Sequence, residues 1–199
     1  PGNRAMTLPE GTVTFLRSDI EGSMELARAL GARSDELNAE HAALIRGAVE
    51  VEGGHVVRTE GDAFFVVFTE AGAAARAAID IQRAMAGHGW PEGYPLKVRI
   101  GLHTGVAVRA GDDYGGFEVN RAARIAADGW GGQIVLSDTT RALIAAEKAG
   151  IAKRGVPLVS GVRAASAPGV VVARAAAEQA MGVRQDAGGR DVQLNFEDL

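Results

Sequence analysis

The chain has 199 residues, of which 47% are hydrophobic and 23% charged, so it can form one domain with a buried core, and its composition excludes an intrinsically disordered protein. A formal net charge of -4 provides no broad positive field, so nucleic acid is not an expected partner. The chain has no cysteine and no run of ~18 to 20 apolar residues, which excludes disulfides, thiolate metal sites and a membrane span, and we expect a cytoplasmic protein.

The first half of the chain predicts strands and helices in alternation. Residues 12–18 are rich in β-forming residues and predict a strand that ends at Asp19. Apolar residues at helical spacing over residues 24–51, interrupted at Gly31, predict two consecutive helices. Two β-rich runs over residues 55–68 predict a hairpin whose second strand opens at Asp62, and the alanine-rich residues 71–85 predict a helix.

The second half continues the alternation and then loses it. Residues 96–103 alternate apolar and polar residues, as in a half-buried strand, and a loop rich in glycine and aspartate follows. Residues 119–127 predict a helix, residues 133–136 a short strand, and S-D-T-T the cap of another helix. The order β, α, β, β, α, β, α, β predicts an α+β fold, with a ferredoxin-like sheet and helices on one face.

Beyond Gly150 the pattern weakens. Residues 157–159 and 169–173 are candidates for a late hairpin, and residues 182–191 for a loop or tail. We expect one domain over residues 8–175 and a C-terminal tail over residues 176–199. Residues 1–6 lack the apolar core of a signal peptide, and we interpret them as an expression scar.

Two carboxylates, Asp19 and Asp62, fall at the ends of adjacent predicted strands. Carboxylates in that position can hold two hard divalent cations against a triphosphate. Aspartate is also common in turns for conformational reasons alone, so the pair by itself leaves both interpretations open.

Four sequence motifs favour the interpretation of Asp19 and Asp62 as metal ligands over the interpretation as turn residues. They occur in the order and spacing of class III nucleotidyl cyclase catalytic domains, and G-G-Q-I-V-L-S near residue 136 is also similar to that family. The chain resembles the family, and its bacterial adenylyl cyclases in particular, from about Gly11 to Leu143. The motifs are F-L-R-S-D-I-E-G-S, T-E-G-D-A-F-F-V-V-F, R-I-G-L-H-T-G and V-N-R-A-A-R-I-A.

The resemblance implies a metal site and a phosphate site. Asp19, the backbone carbonyl of Ile20, and Asp62 are expected to bind two Mg²⁺ or Mn²⁺ ions. One ion would activate the ribose 3′-hydroxyl for attack on the α-phosphorus, and the other would neutralise the phosphates and the departing pyrophosphate. Gly22 and Ser23, which precede a predicted helix, are expected to bind the β- and γ-phosphates through backbone amides, although a solvated turn is the alternative.

The resemblance also implies residues that handle ribose, α-phosphate and base. Asn120 and Arg124 lie four apart on one predicted helix face and are expected to orient the ribose and to stabilise charge on the α-phosphate. Arg58 and Asp113 are expected to select the base, since Asp113 can accept a hydrogen bond from the adenine 6-amino group. A solvated helix face and a solvated loop are the alternatives for the two pairs.

Three residues depart from the family pattern. Arg58 replaces a lysine that is usual in adenylyl cyclases, so guanylate cyclase remains an alternative activity. Arg17 replaces an aromatic residue and shares a strand face with Asp19, where it could contact phosphate or hinder metal. Met24 replaces a threonine. The segment after Gly150 lacks the family motif that would identify a phosphate-binding lysine. Lys153 and Arg154 lie there and have the right charge, but nothing else assigns either of them to that role.

The resemblance implies a homodimer with two shared sites, in which one chain supplies the metal carboxylates and the other supplies the remaining residues. This one chain contains all the side chains that the two halves of a site need, so two copies of it would be sufficient. They are Asp19, Asp62, Arg58, Asp113, Asn120 and Arg124. We therefore expect an adenylate cyclase that converts ATP to cyclic AMP and pyrophosphate. The alternatives are a degenerate module that binds nucleotide or a partner without turnover, and a plain structural ferredoxin-like domain.

Overall fold

A computed structural model of the chain describes residues 8–91, 93–152 and 170–174. No helix within these residues is sufficiently long and apolar to span a membrane. The elements in chain order are β1 (Gly11–Ile20), α1 (Ser23–Leu30), α2 (Arg33–Val51), β2 (His55–Glu60), β3 (Ala63–Phe68), α3 (Ala71–Gly87), β4 (Val98–Ala110), β5 (Asp113–Gly115), α4 (Phe117–Ala127), β6 (Gln133–Ser137), α5 (Asp138–Ala152) and β7 (Val170–Arg174).

The strands form one sheet in the order β2-β3-β1-β4-β6-β7, with β5 paired to β4 beyond this path. β1 lies between β3 and β4 and is antiparallel to both, whereas β4 and β6 are parallel. The units β1-α1-α2-β2 and β3-α3-β4 therefore interleave, which is the ferredoxin-like arrangement. The predicted α+β class and its ferredoxin-like sheet are confirmed.

The helices divide between the two faces of the sheet. On one face, Leu16 and Ile20 of β1 share a core with residues of α2, α3 and α5. On the other face, Val13 and Phe15 of β1 pack with Val119 of α4. The prediction of helices on one face thus holds for α2, α3 and α5, whereas α4 lies on the opposite face.

Gly101 in β4 permits the close packing of α4. A Cβ atom at this position would lie 2.4 Å from the backbone nitrogen of Ala126 in α4. Because real Cβ contacts are longer than this, a side chain at residue 101 would push α4 off the sheet. The position of α4 matters for the predicted site, since α4 carries Asn120 and Arg124.

A strand lies where the sequence predicted the second half of a late hairpin, at residues 169–173. β7 covers residues 170–174 and pairs antiparallel with β6. Residues 157–159, which were the other half of the predicted hairpin, lie outside the described residues, as do residues 1–6 and the predicted tail over residues 176–199. β5 was not predicted, because three residues are too short for an alternation pattern.

His41 of α2 is a buried titratable group in the core. Its side chain has 0% exposure, and its ring packs edge to face on Phe64 at a centroid distance of 5.7 Å. Neither ring nitrogen has a hydrogen-bond partner within the described part of the chain. Burial lowers the pKa of His41 to about 4, and the charge of Asp62 opposes this effect only in part.

The buried imidazole predicts acid sensitivity. Since the pKa of His41 falls from about 6.5 in the unfolded chain to about 4 in the fold, its contribution to stability is complete above pH 6.5 and is lost as the pH falls towards 4. We expect a loss of about 3 kcal/mol in the free energy of unfolding over that interval, by linkage. Urea denaturation at pH 7, 5.5 and 4.5 measures it. A His41→Leu variant should lose less stability on acidification, and an identical pH dependence in both proteins would contradict the assignment.

Candidate active site

The structure brings together Asp19, Ile20 and Asp62. Asp19 and Ile20 are the last two residues of β1, and Asp62 lies in the turn between β2 and β3, one residue before β3 begins. The backbone N–H of Ile20 donates a hydrogen bond of 2.7 Å to Oδ2 of Asp62. The strand end that carries Asp19 is thus tied directly to the turn that carries Asp62.

Arg99 of β4 binds Asp19 and was not among the predicted site residues. Arg99 lies opposite Asp19 in the antiparallel register, and its Nε donates to Oδ1 of Asp19 at 2.5 Å. Its Nη1 also donates to the carbonyl of Ala127 at the end of α4, at 3.5 Å. The strand alternation of residues 96–103 was the available signal, because it puts Arg99 on the polar face of β4.

The donor atoms here suit a hard divalent cation. Within the described residues, no group of three or more His, Cys, Asp or Glu side chains could hold a metal by itself. Asp19 and Asp62 each retain one carboxylate oxygen outside the hydrogen bonds to Arg99 and Ile20. Mg²⁺ commonly takes one or two carboxylates and completes its shell with water and substrate phosphate, so this sparse oxygen set fits it.

The N-terminus of α1 follows directly after these residues. Gly22 precedes the helix with a φ of 70°, a left-handed conformation that favours glycine, and Ser23 is the first helical residue. No side chain caps this end within the described part, so the first-turn amides are available to an acceptor. Met24 is 64% exposed and contributes no hydroxyl group. A cavity of about 330 Å³ opens between α1 and residues 93–96.

Arg58 and Asp113, the predicted base-selecting pair, are in contact with each other. Nη1 of Arg58 donates to both carboxylate oxygens of Asp113, while its Nε donates to Glu60 at 2.7 Å. The guanidinium also lies over the ring of Phe65, 4.7 Å from its centroid. Burial opposes the charge on Arg58, but the hydrogen bonds to Glu60 and Asp113 outweigh it, so the pKa of Arg58 is raised.

Asp113 is the first residue of β5 and not part of a loop. Its Oδ1 also accepts a hydrogen bond of 2.7 Å from the backbone N–H of Tyr114. Tyr114 is buried against Phe15 and Phe65, so the position of Asp113 is set by the core beneath it. The predicted alternative, a carboxylate that only solvates a loop, does not describe this environment.

Asn120 and Arg124 lie on the exposed face of α4. The opposite face of the helix is buried through Val119, Ala122 and Ile125, which leaves residues 120 and 124 directed away from the sheet. Within the described residues, no hydrogen bond or ion pair joins either side chain to Asp19 or Asp62. Within this chain, the predicted residues on α4 are therefore not bonded to the predicted metal carboxylates.

A second feature that the sequence did not reveal is a buried network of hydrogen-bonded side chains that holds α4 on the sheet. Glu118, in the first turn of α4, forms a short hydrogen bond with Nε2 of His103, whose side chain is 2% exposed. Nδ1 of His103 is 2.9 Å from Oγ of Ser137. From Ser137 the network of hydrogen bonds extends to the hydroxyl groups of Thr140, Thr104 and Thr14 in turn. Buried networks of this kind fix one arrangement when every member is satisfied, and this one fixes the helix turn that precedes Asn120.

Comparison with known proteins identifies relatives of this chain. An uncharacterized protein of Mycobacterium tuberculosis is 37% identical over 138 residues, which cover 68% of this chain and 46% of that protein. An adenylate cyclase of Mycosarcoma maydis is 32% identical over 160 residues, which cover 68% of this chain and 6% of that enzyme. The chain therefore spans less than half the length of these curated relatives.

The fold has solved counterparts. The structure of adenylate cyclases from Trypanosoma brucei in their monomeric state superposes with a TM-score of 0.67, at 23% identity, over 84% of this chain and 90% of that chain. At this identity the likeness concerns the fold. Residues 7–170 also match the sequence profile of the adenylate and guanylate cyclase catalytic domain, which is most of the chain. The chain belongs to the adenylate and guanylate cyclase catalytic domain family.

Proposed function

We propose that the chain is an adenylate cyclase, which converts ATP to 3′,5′-cyclic AMP and pyrophosphate. The observation that supports it most strongly is the hydrogen bond from Ile20 to Asp62, which assembles two carboxylates and a backbone carbonyl at one strand end. These oxygens lie directly before the free amides of α1. A cation-binding group next to an anion-binding helix end is what a metal-bound triphosphate requires.

The reaction needs no nucleophile from the protein. The ribose 3′-oxygen forms a bond to the α-phosphorus, the bond from that phosphorus to the bridging oxygen breaks, and pyrophosphate leaves while the hydroxyl proton passes to solvent. Two Mg²⁺ or Mn²⁺ ions held by Asp19, Ile20 and Asp62 would supply activation of the 3′-hydroxyl and charge neutralisation of the phosphates. Arg124 donates hydrogen bonds to the α-phosphate oxygens as their charge grows, and Asn120 orients the ribose.

The exposed position of Asn120 and Arg124 supports a shared site. Both point away from their own sheet, so a second copy could receive them at its Asp19 and Asp62. Apolar side chains at the start of α4 and on β4 are also exposed: Phe117 by 67%, Val106 by 63% and Val108 by 57%. Large exposed apolar side chains grouped at one place are typical of a protein interface. We propose a two-fold homodimer with two equivalent sites.

The Arg58 and Asp113 pair supports selection of a purine base. Asp113 accepts from the 6-amino group of adenine, and Arg58 keeps donors free beyond its bonds to Glu60 and Asp113. Guanine presents a carbonyl at that position, which Asp113 repels. Because Arg58 already contacts Asp113, base entry must rearrange their ion pair, and we expect the preference for ATP to be moderate.

The proposed activity is tested by identifying the products that the purified protein forms. With Mn²⁺ and either ATP or GTP at equal concentration, we expect cyclic AMP to exceed cyclic GMP by about 10-fold, since one hydrogen-bond mismatch at a base is worth ~1–3 kcal/mol. Chromatography of both cyclic nucleotides measures the ratio. A predominance of cyclic GMP would overturn the assignment of Asp113 as an adenine acceptor.

A second candidate is a nucleotide-binding module without turnover. The bond between Arg99 and Asp19 favours it, because a cation must share or replace that bond to use both oxygens of the carboxylate. Nucleotide binding without cyclic product in the presence of Mn²⁺ would select this candidate.

A further inference from the structure

Arg17 lies in the middle of the sheet face that carries the proposed site. In β1 it is opposite Phe65 of β3 on one side and Gly101 of β4 on the other. Strand alternation puts it on the same face as Asp19. Its guanidinium lies over the Phe65 ring, 5.2 Å from the ring centroid. The guanidinium of Arg58 lies over the same ring, 4.7 Å from the centroid. Within one chain, Arg17 is thus located between the base-selecting pair and the metal carboxylates. In the proposed homodimer these two groups serve different shared sites, and Arg17 lies beside the site of its own Asp19, two residues away on the same strand face.

Arg17 is half-buried and lacks a direct polar partner. Within the part of the chain that the structure describes, its side chain forms no hydrogen bond and no ion pair, and its guanidinium lies over the Phe65 ring. Burial lowers its pKa, although the charges of Glu60, Asp19 and Asp113 act in the opposite direction. A desolvated guanidinium with its donors unused costs free energy in the free protein.

The carboxylates around Arg17 are each bonded to another arginine. Glu60 accepts from Nε of Arg58 at 2.7 Å, and Asp113 accepts from Nη1 of the same residue. Asp19 accepts from Nε of Arg99 at 2.5 Å. Within the described residues, Arg17 is therefore the one arginine of this cluster whose guanidinium donates to none of these carboxylates, so all of its donors are available to a ligand.

We infer that Arg17 is an anion-binding residue for the phosphate groups of the nucleotide. This inference rests on the proposed function for the identity of the ligand. A planar guanidinium presents paired donors that match two phosphate oxygens, and the low-dielectric surroundings strengthen such a contact. A phosphate group at this point supplies the partner that the protein itself does not.

Binding measurements on the full chain test the inference without turnover. Calorimetric titration with α,β-methylene-ATP, which cannot release pyrophosphate, is compared for the wild type, Arg17→Gln and Arg17→Lys, with Mn²⁺ present. We expect Arg17→Gln to weaken binding about 10- to 100-fold, as for the loss of hydrogen bonds to a charged group, and Arg17→Lys to weaken it less. Pyrophosphate should show the same loss, whereas adenosine should bind all three proteins equally.

Arg83→Gln is the matched control, because Arg83 is an exposed arginine of α3 on the opposite face of the sheet. It should bind the analogue like the wild type. Thermal melting of Arg17→Gln should show only a small loss of stability, since Arg17 has a cation–π contact with Phe65 but no ion pair to lose.

Several outcomes would overturn the inference. Equal affinity of wild type and Arg17→Gln for the analogue would do so, and so would an equal loss for adenosine, which would mean that Arg17 acts through the base-selecting pair. Tighter Mn²⁺ binding by Arg17→Gln with unchanged pyrophosphate affinity would show that Arg17 repels metal instead. A wild type that binds the analogue but forms no cyclic nucleotide from ATP would refute the proposed activity and leave the inference about Arg17 standing.

Discussion

An Arg124→Ala variant is expected to lose about 100- to 1000-fold in kcat, the usual effect of removing one preorganised donor to a developing negative charge. Its Kd for nucleotide should change little, because the interaction strengthens only as charge develops on the α-phosphate. Steady-state kinetics with ATP and Mn²⁺, together with equilibrium binding of α,β-methylene-ATP, separates the two effects. The side chain is exposed on α4, so its removal should not destabilise the fold.

Arg121→Ala is the matched control for this prediction. Arg121 is an exposed arginine of the same helix, three residues before Arg124, and the family resemblance gives it no role. It should retain the activity of the wild type. Similar losses in both variants would mean that general positive charge on α4 is important, and would contradict the specific role of Arg124.

An Asp62→Asn variant is expected to lose at least about 1000-fold in activity, since the proposed metal-ion catalysis requires the charge of this carboxylate. Asparagine retains an oxygen that can accept from the Ile20 N–H, so the turn before β3 should be preserved. Electron paramagnetic resonance of free Mn²⁺ measures the loss of metal binding independently of activity. Asp112→Asn, which changes an exposed carboxylate of the β4–β5 turn, should leave both quantities unchanged. Normal turnover by Asp62→Asn would contradict the metal assignment.

The sequence was sufficient to predict the main plan of the fold. Strand and helix periodicities predicted most of the elements from β1 to β6, because each half-buried element carries its own alternation of apolar and polar residues. It also predicted that Asp19 and Asp62 would lie at adjacent strand ends, and the Ile20 hydrogen bond agrees with that proximity. What periodicity could not indicate was the face of the sheet on which each helix packs, so the position of α4 opposite the other core helices was not predicted.

The contacts of the site were harder to predict, because they depend on register. Asp19 and Arg99 are neighbours only because of the register between β1 and β4, and no local sequence pattern indicates that register. The environment of Arg17 likewise depends on Arg58 and Arg99 having taken the nearby carboxylates. Glu118 and His103 are fifteen residues apart in sequence, and only the position of α4 on the sheet makes them neighbours.

The central claim is that Asp62 of one copy and Arg124 of another act in a single site. Mixing Asp62→Asn and Arg124→Ala chains tests it most directly, with cyclic AMP formation as the readout. If two copies share their sites, each variant is inactive alone, and an equimolar mixture should recover about a quarter of the wild-type activity, because half of the dimers are mixed and each has one intact site. No recovery, from chains that exchange freely, would contradict the shared site.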